Sequence, residues 1–146
     1  MNIGLLGCSP LPTPQEKLTT FAQLRTWSML KFLEEKGYSV QVFLLSDQDS
    51  HGHNVYQEST IQKVKTFCQD IDVLITAGPF LPALVLDAIP EELPLWLDWP
   101  SDPLADQHAK RLVTQDDLSD ESIVQEIVRA ALFRADAIGV ISERQR

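Results

Sequence analysis

The stretch LRTWSMLKFLEEKGYSVQVFLL (residues 24–45) decides how the chain is organised. With Phe21 just before it, Leu24, Trp27, Leu30 and Leu33 recur near helical spacing, which predicts an amphipathic helix over 21–35 with Thr20 as its cap. Gly37 is the stop signal. Immediately after it, YSVQVFLL (residues 38–45) is rich in β-branched and aromatic residues and predicts a strand that ends at the turn residues Ser46 and Asp47. Helix, glycine and strand together make half of a βαβ unit. The other half lies upstream, where NIGLLG (residues 2–7) reads as a short buried strand ending in glycine.

The same alternation continues downstream. Residues 47–59 are polar and aperiodic and predict a loop, and a helix follows in which Ile61, Val64, Phe67/Cys68 and Ile71 share a face behind a Thr60 cap. DVLITAG (72–78), PLWLDW (94–99) and DAIGVIS (136–142) predict three more strands. Between them fall a short helix in FLPALVLDAI (80–89), with Pro82 near its first turn, and a helix from Glu121 to Arg134 capped by Asp120. Ile123, Ile127, Ala130/Ala131 and Phe133/Arg134 run along that last helix's face. Strands apolar on both faces, alternating with helices, require a parallel sheet covered on each side. The expected fold is therefore α/β: a three-layer Rossmann-like domain with a doubly wound parallel sheet of about five strands.

With 146 residues and 44% apolar content, one ordinary domain is expected over 1–146. The formal net charge is −9 and the acidic residues are dispersed, so no basic stripe exists to neutralise a nucleic-acid backbone. No apolar run nears the roughly 20 residues that span a bilayer, and the N-terminus lacks a signal-peptide pattern. The expectation is a cytoplasmic chain that is not an integral membrane protein. Cys8 and Cys68 are too few for a disulfide framework and form no C-x-x-C pair.

Ligands of such sheets bind outside the carboxyl ends of the strands, which directs attention to the residues that follow each one. LPLWLDWPSDPLADQH (93–108) places Asp98, Asp102 and Asp106 there among prolines. A rim carboxylate there can accept a proton or hydrogen-bond paired sugar hydroxyls, so Asp98 and Asp102 are the candidate catalytic residues. Against this, Asp102 before Pro103 suits an Asx turn, and Asp98 suits a cap on local amides. The three aspartates do not form a cation site, because Pro100 and Pro103 interrupt any helix that would align them; His51 and His53 have no third donor nearby. No metal is expected. The first loop, GCSPLPTPQEKLTT (7–20), carries neither G-x-G-x-x-G nor a phosphate loop, and Pro10, Pro12 and Pro14 remove amide donors, so no nicotinamide or flavin cofactor is expected. Cys8 has no histidine placed to activate it, and Cys68 falls on an apolar helix face; both read as packing residues. Trp96 and Trp99, three apart, are expected on opposite faces, with one free to offer an aromatic surface to a sugar ring.

NIGLLGCSPLP, LRTWSMLKFLEEKGYSVQVF, IDVLITAG, LPLWLDWPSDP and FRADAIGVISERQR together resemble the N-terminal domain of GT-B-fold glycosyltransferases, the retaining, nucleotide-sugar-using kind, over almost the whole chain. The resemblance implies an acceptor-binding domain of a hexosyltransferase, inactive alone, with a nucleotide-sugar donor as co-substrate of the complete enzyme and no cofactor held here. It implies as partners a small-molecule or glycan acceptor and a C-terminal donor-binding domain, with this chain as the N-terminal half of a larger protein. It carries Ser9, Pro10, Gly78, Asp98, Asp102 and Ser142 over as substrate-binding positions. The first loop departs from the family in lacking its common glycine pair. A stand-alone, non-catalytic Rossmann-like binding or regulatory module is the alternative.

Overall fold

The computed structural model describes residues 1–7, 21–46, 53–54, 57–77, 83–99 and 121–140. These form strands β1 (Asn2–Gly7), β2 (Ser39–Ser46), β3 (His53–Asn54), β4 (Val73–Ala77), β5 (Leu95–Trp99) and β6 (Ala137–Val140). Helices α1 (Phe21–Glu35), α2 (Glu58–Gln69), α3 (Ala83–Ala88) and α4 (Glu121–Arg134) alternate with them. All strands pair in parallel, in the order β3-β2-β1-β4-β5-β6. The expected α/β, Rossmann-like sheet of five strands is present, and a two-residue sixth strand extends it.

Side-chain alternation divides the core into two layers. Leu6, Phe43, Leu45, Leu74, Leu95 and Leu97 point to one face, where Val64 and Cys68 of α2, Val85 and Ala88 of α3 and Ala131 of α4 cover them. Ile3, Leu5 and Ile75 point to the other, against Leu33, Met29 and Leu30 of α1. The chain steps from β1 to β2 in one direction and from β4 through β5 to β6 in the other. Right-handed crossovers put the helices of the two directions on opposite faces, which is the distribution seen.

The glycines of NIGLLG serve this packing. At Gly4 a Cβ would lie 3.1 Å from the Phe67 ring of α2, and at Gly7 it would lie 3.2 Å from Thr26 Cγ2 of α1. Each therefore brings one helix close to the central strand. That closeness corrects the expected face of α1. Thr26 is buried, whereas Trp27, which the apolar period selects, is 37% exposed. An indole does not fit where the helix nearly touches β1. Phe133 likewise stands 84% exposed on α4, while its neighbour Ala131 is fully buried.

Two further local expectations are revised. Helix α2 begins at Glu58 with Gln57 at its cap position, and Thr60 is a buried residue inside the first turn rather than the cap. Within the stretch expected to be loop, His53 and Asn54 pair with Leu45 and Ser46. The proposed caps Thr20 and Asp120 lie outside the described residues. At the end of α1, Gly37 N–H donates to Glu34 O (2.9 Å) and Tyr38 N–H to Leu33 O (3.1 Å), a Schellman motif closed by Gly37 at φ 83°.

At the amino ends of the strands one device occurs twice. Asp72 N–H donates to Asn2 O (2.8 Å) while its carboxylate accepts Asn2 N–H (2.7 Å). Asp136 N–H donates to Leu95 O (2.9 Å) and its carboxylate accepts Leu95 N–H (2.9 Å). An aspartate just before a strand thus staples the first residue of the neighbouring strand. Arg134 reinforces the second staple by donating to Leu93 O (2.8 Å) and to Pro90 O.

Replacing Gly37 by alanine forces a Cβ into the left-handed region, so Gly37→Ala is expected to cost about 1 kcal/mol. The check is a lower urea midpoint with an unchanged slope.

Candidate functional site at the carboxyl edge

The second crossover direction starts at β4, so the sheet has its topological switch between β1 and β4, and ligands of such sheets lie beyond the carboxyl ends there. Helix α1 contributes to that edge, because Thr26 sits over Gly7 at the end of β1. The preceding residue, Arg25, reaches over β4 to β5. There its Nε donates to Asp98 Oδ2 (2.7 Å) and its Nη2 to Asp98 Oδ1 (2.6 Å).

This pair is asymmetric. Asp98 is 2% exposed, whereas the Arg25 side chain is 39% exposed. A carboxylate so buried must be matched by a cation, and the planar guanidinium matches both of its oxygens at once. The hydrogen bonds to Asp98 hold the Arg25 pKa above its ordinary value against the opposing effect of burial. Asp98 is therefore not an unpaired rim carboxylate. It is one half of a tie between α1 and β5.

Beside the pair lies Trp96, two residues earlier on β5 and so on the same face of the sheet. Its indole is 46% exposed and rests on β6: a Cβ on Gly139 would lie 2.8 Å from Trp96 Nε1 and 3.3 Å from Asp98 Oδ1. Gly139 pairs with Asp98 across the ladder. Having no side chain, it leaves the space that the indole and the carboxylate share. The Thr26 hydroxyl is buried and makes no hydrogen bond among the described residues.

Of the substrate-binding positions expected from the sequence, only Asp98 falls on described residues. Ser9, Pro10, Gly78, Asp102 and Ser142 lie outside them, as do Cys8, Asp106, His51 and the side chain of Trp99. Arg25 was not expected at the edge. Its partner is 73 residues away, and within its own helix it reads as an ordinary solvated position. No group of acidic, histidine or cysteine side chains among the described residues has a metal-binding arrangement, and no described helix is long and apolar enough to cross a membrane.

Cys68 is buried between α2 and the sheet, and burial pushes its thiol up to about 11. With the reactive thiolate so disfavoured, Cys68 is expected to resist iodoacetamide at pH 8 in the folded protein and to react on denaturation, as mass spectrometry of the modified peptide would show.

Removing either partner of the ion pair should reveal its asymmetry. Asp98→Asn leaves a guanidinium that water reaches, at a cost of about 1–2 kcal/mol, whereas Arg25→Met strands a buried carboxylate, at a cost of about 3 kcal/mol. Urea denaturation of the two variants at pH 7 measures both costs; a loss for Arg25→Met no larger than that for Asp98→Asn would contradict the assigned burial.

No protein-family model, curated protein or solved structure matches this chain.

Proposed function

We propose that the chain is the acceptor-side domain of a glycosyltransferase that takes sugar from a nucleotide-sugar donor held by a second domain. The observation that carries this reading is the grouping of an accessible indole with a fixed guanidinium at the carboxyl end of β5, on the edge where ligands of parallel sheets bind. A flat indole suits a sugar ring, and the guanidinium supplies donors that fix the ring's orientation. The three prolines after β1 withhold amides that a donor diphosphate would use.

In this reading the edge binds and does not itself transfer protons. Both oxygens of Asp98 are held by Arg25, so this carboxylate is poorly placed to act as a general base. A donor half then supplies the reacting groups, and closing the two halves orients the reactants. The same neutralised carboxylate favours the second reading, a stand-alone binding or regulatory module, which needs no base at all. A reading frame that continues past Arg146 into a second βα repeat supports the enzyme, and a stop codon there supports the module.

Calorimetric titration of the purified chain with uridine, guanosine and adenosine diphosphate sugars tests the assignment to the acceptor side. Binding weaker than about 1 mM (about −4 kcal/mol) and no sugar transfer are expected. Micromolar affinity for any of these donors, or robust transfer by the chain alone, would overturn it.

A further inference from the structure

We propose that Arg25 is an anion anchor: fixed from one side by Asp98, its outer edge receives the phosphate or carboxylate group of a small ligand whose ring lies against Trp96. The inference rests on the reading that this edge binds ligand, and it adds the ligand's class, a ring compound carrying an oxyanion.

The geometry of the ion pair sets the direction. Asp98 is engaged side-on, through Nε and Nη2, which occupies two of the five N–H donors of the guanidinium. The other three, two on Nη1 and one on Nη2, make no hydrogen bond among the described residues, and the side chain is 39% exposed. All three lie in the guanidinium plane, and two of them, one on Nη1 and one on Nη2, share the end-on edge not taken by Asp98. Nη1 and Nη2 form a second fork there, with the spacing that an oxyanion accepts bidentately.

The surroundings select the same chemistry. Trp96 Nε1–H has no partner among the described residues and lies beside the Gly139 backbone, next to the Asp98 oxygen that holds Nη2. Among the described residues, what Arg25 and Trp96 leave unengaged at this patch is therefore a set of donors. Its acceptors, the oxygens of Asp98, are buried and already engaged. A ligand that satisfies only donors must be rich in acceptor oxygens, and phosphate and carboxylate groups are the most strongly accepting of these. A neutral sugar, whose hydroxyls also donate, leaves part of its own capacity unmet here. Asp98 acts as the positioning residue. It takes up most of Arg25's charge, so the anchor works through the aim of its N–H groups rather than through a net positive field.

The test uses 1H–15N resonances of Arg25 Nε–H and Trp96 Nε1–H during titration with glucose, glucose 6-phosphate, glucuronate and inorganic phosphate. Saturable shifts of both resonances with glucose 6-phosphate or glucuronate are expected, and glucose should bind at least about tenfold more weakly, a difference of about 1.4 kcal/mol. The phosphate and carboxylate arms show which oxyanion is preferred. Arg25→Lys keeps a charge for Asp98 but loses the outer fork, and is expected to weaken the anionic probe at least tenfold. The double substitution Arg25→Met with Asp98→Leu removes the pair without stranding a charge, so it keeps the fold and should abolish the preference over glucose. The proposal is overturned if glucose binds as tightly as its phosphate, if the double variant retains the preference, if no probe shifts both resonances, or if inorganic phosphate shifts only scattered surface amides, an adventitious ion only. Equal binding of glucose and its phosphate would leave the acceptor-side reading standing. Micromolar nucleotide-sugar binding would instead remove that reading without touching the comparison of the charged and neutral probes.

Discussion

A parallel sheet covered by helices leaves almost no water at its strands, so a carboxylate on such a strand needs a cation delivered from the layer above. Asp98 on β5 obtains one from Arg25, and much of the upper end of the fold follows from that delivery. For Arg25 to reach β5, α1 must sit low over β1, and it does so because Gly7 has no side chain and Thr26 is small. For Asp98 and Trp96 to share their side of the sheet, the facing position on β6 must also be empty, and it is Gly139. Two glycines and one ion pair thus fix the shape of a single edge. Each is needed because another is present.

The five longer strands and the four helices were legible in the sequence because each carries a local signal, either an apolar run bounded by turn residues or a 3.6-residue period. What was not legible depends on contacts distant in sequence. Strand β3 has two residues and no apolar pattern, and it exists only as an extension of the β2 ladder. Trp27 and Thr26 exchanged roles because periodicity places a side chain on a face but is blind to how closely that face approaches its neighbour. Arg25 was missed for a related reason. A charged residue one position from an apolar stripe reads as solvated until the strand it faces is known to end in a buried aspartate.

The stretches IDVLITAG and FRADAIGVISERQR helped carry the resemblance to glycosyltransferase domains, and the structure gives part of each a plain physical task. Asp72 and Asp136 each staple the first residue of a neighbouring strand, and Arg134 holds two carbonyls just before β5. All of this lies at the amino ends of the strands, opposite the edge where a ligand would bind. These parts of the motifs therefore speak to how a parallel sheet is pinned together and are silent on substrate. Any support for a function has to come from the other end, where Trp96, Asp98 and Arg25 are grouped.

That division clarifies what the net charge of −9 permits. A polyanion gains affinity by releasing counterions from many cationic contacts, and a chain with dispersed acidic residues and, among the described residues, one paired arginine at this edge offers little such gain. A small ligand is in a different position. At contact distance the directed N–H groups of one fixed guanidinium and the face of one indole outweigh a diffuse negative field that salt already screens beyond about 10 Å. Asp98 contributes to this selectivity by neutralising Arg25, because it weakens long-range attraction for every anion alike and leaves intact the short-range fork that distinguishes one shape from another. An edge built this way favours a compact, acceptor-rich molecule over an extended charged one.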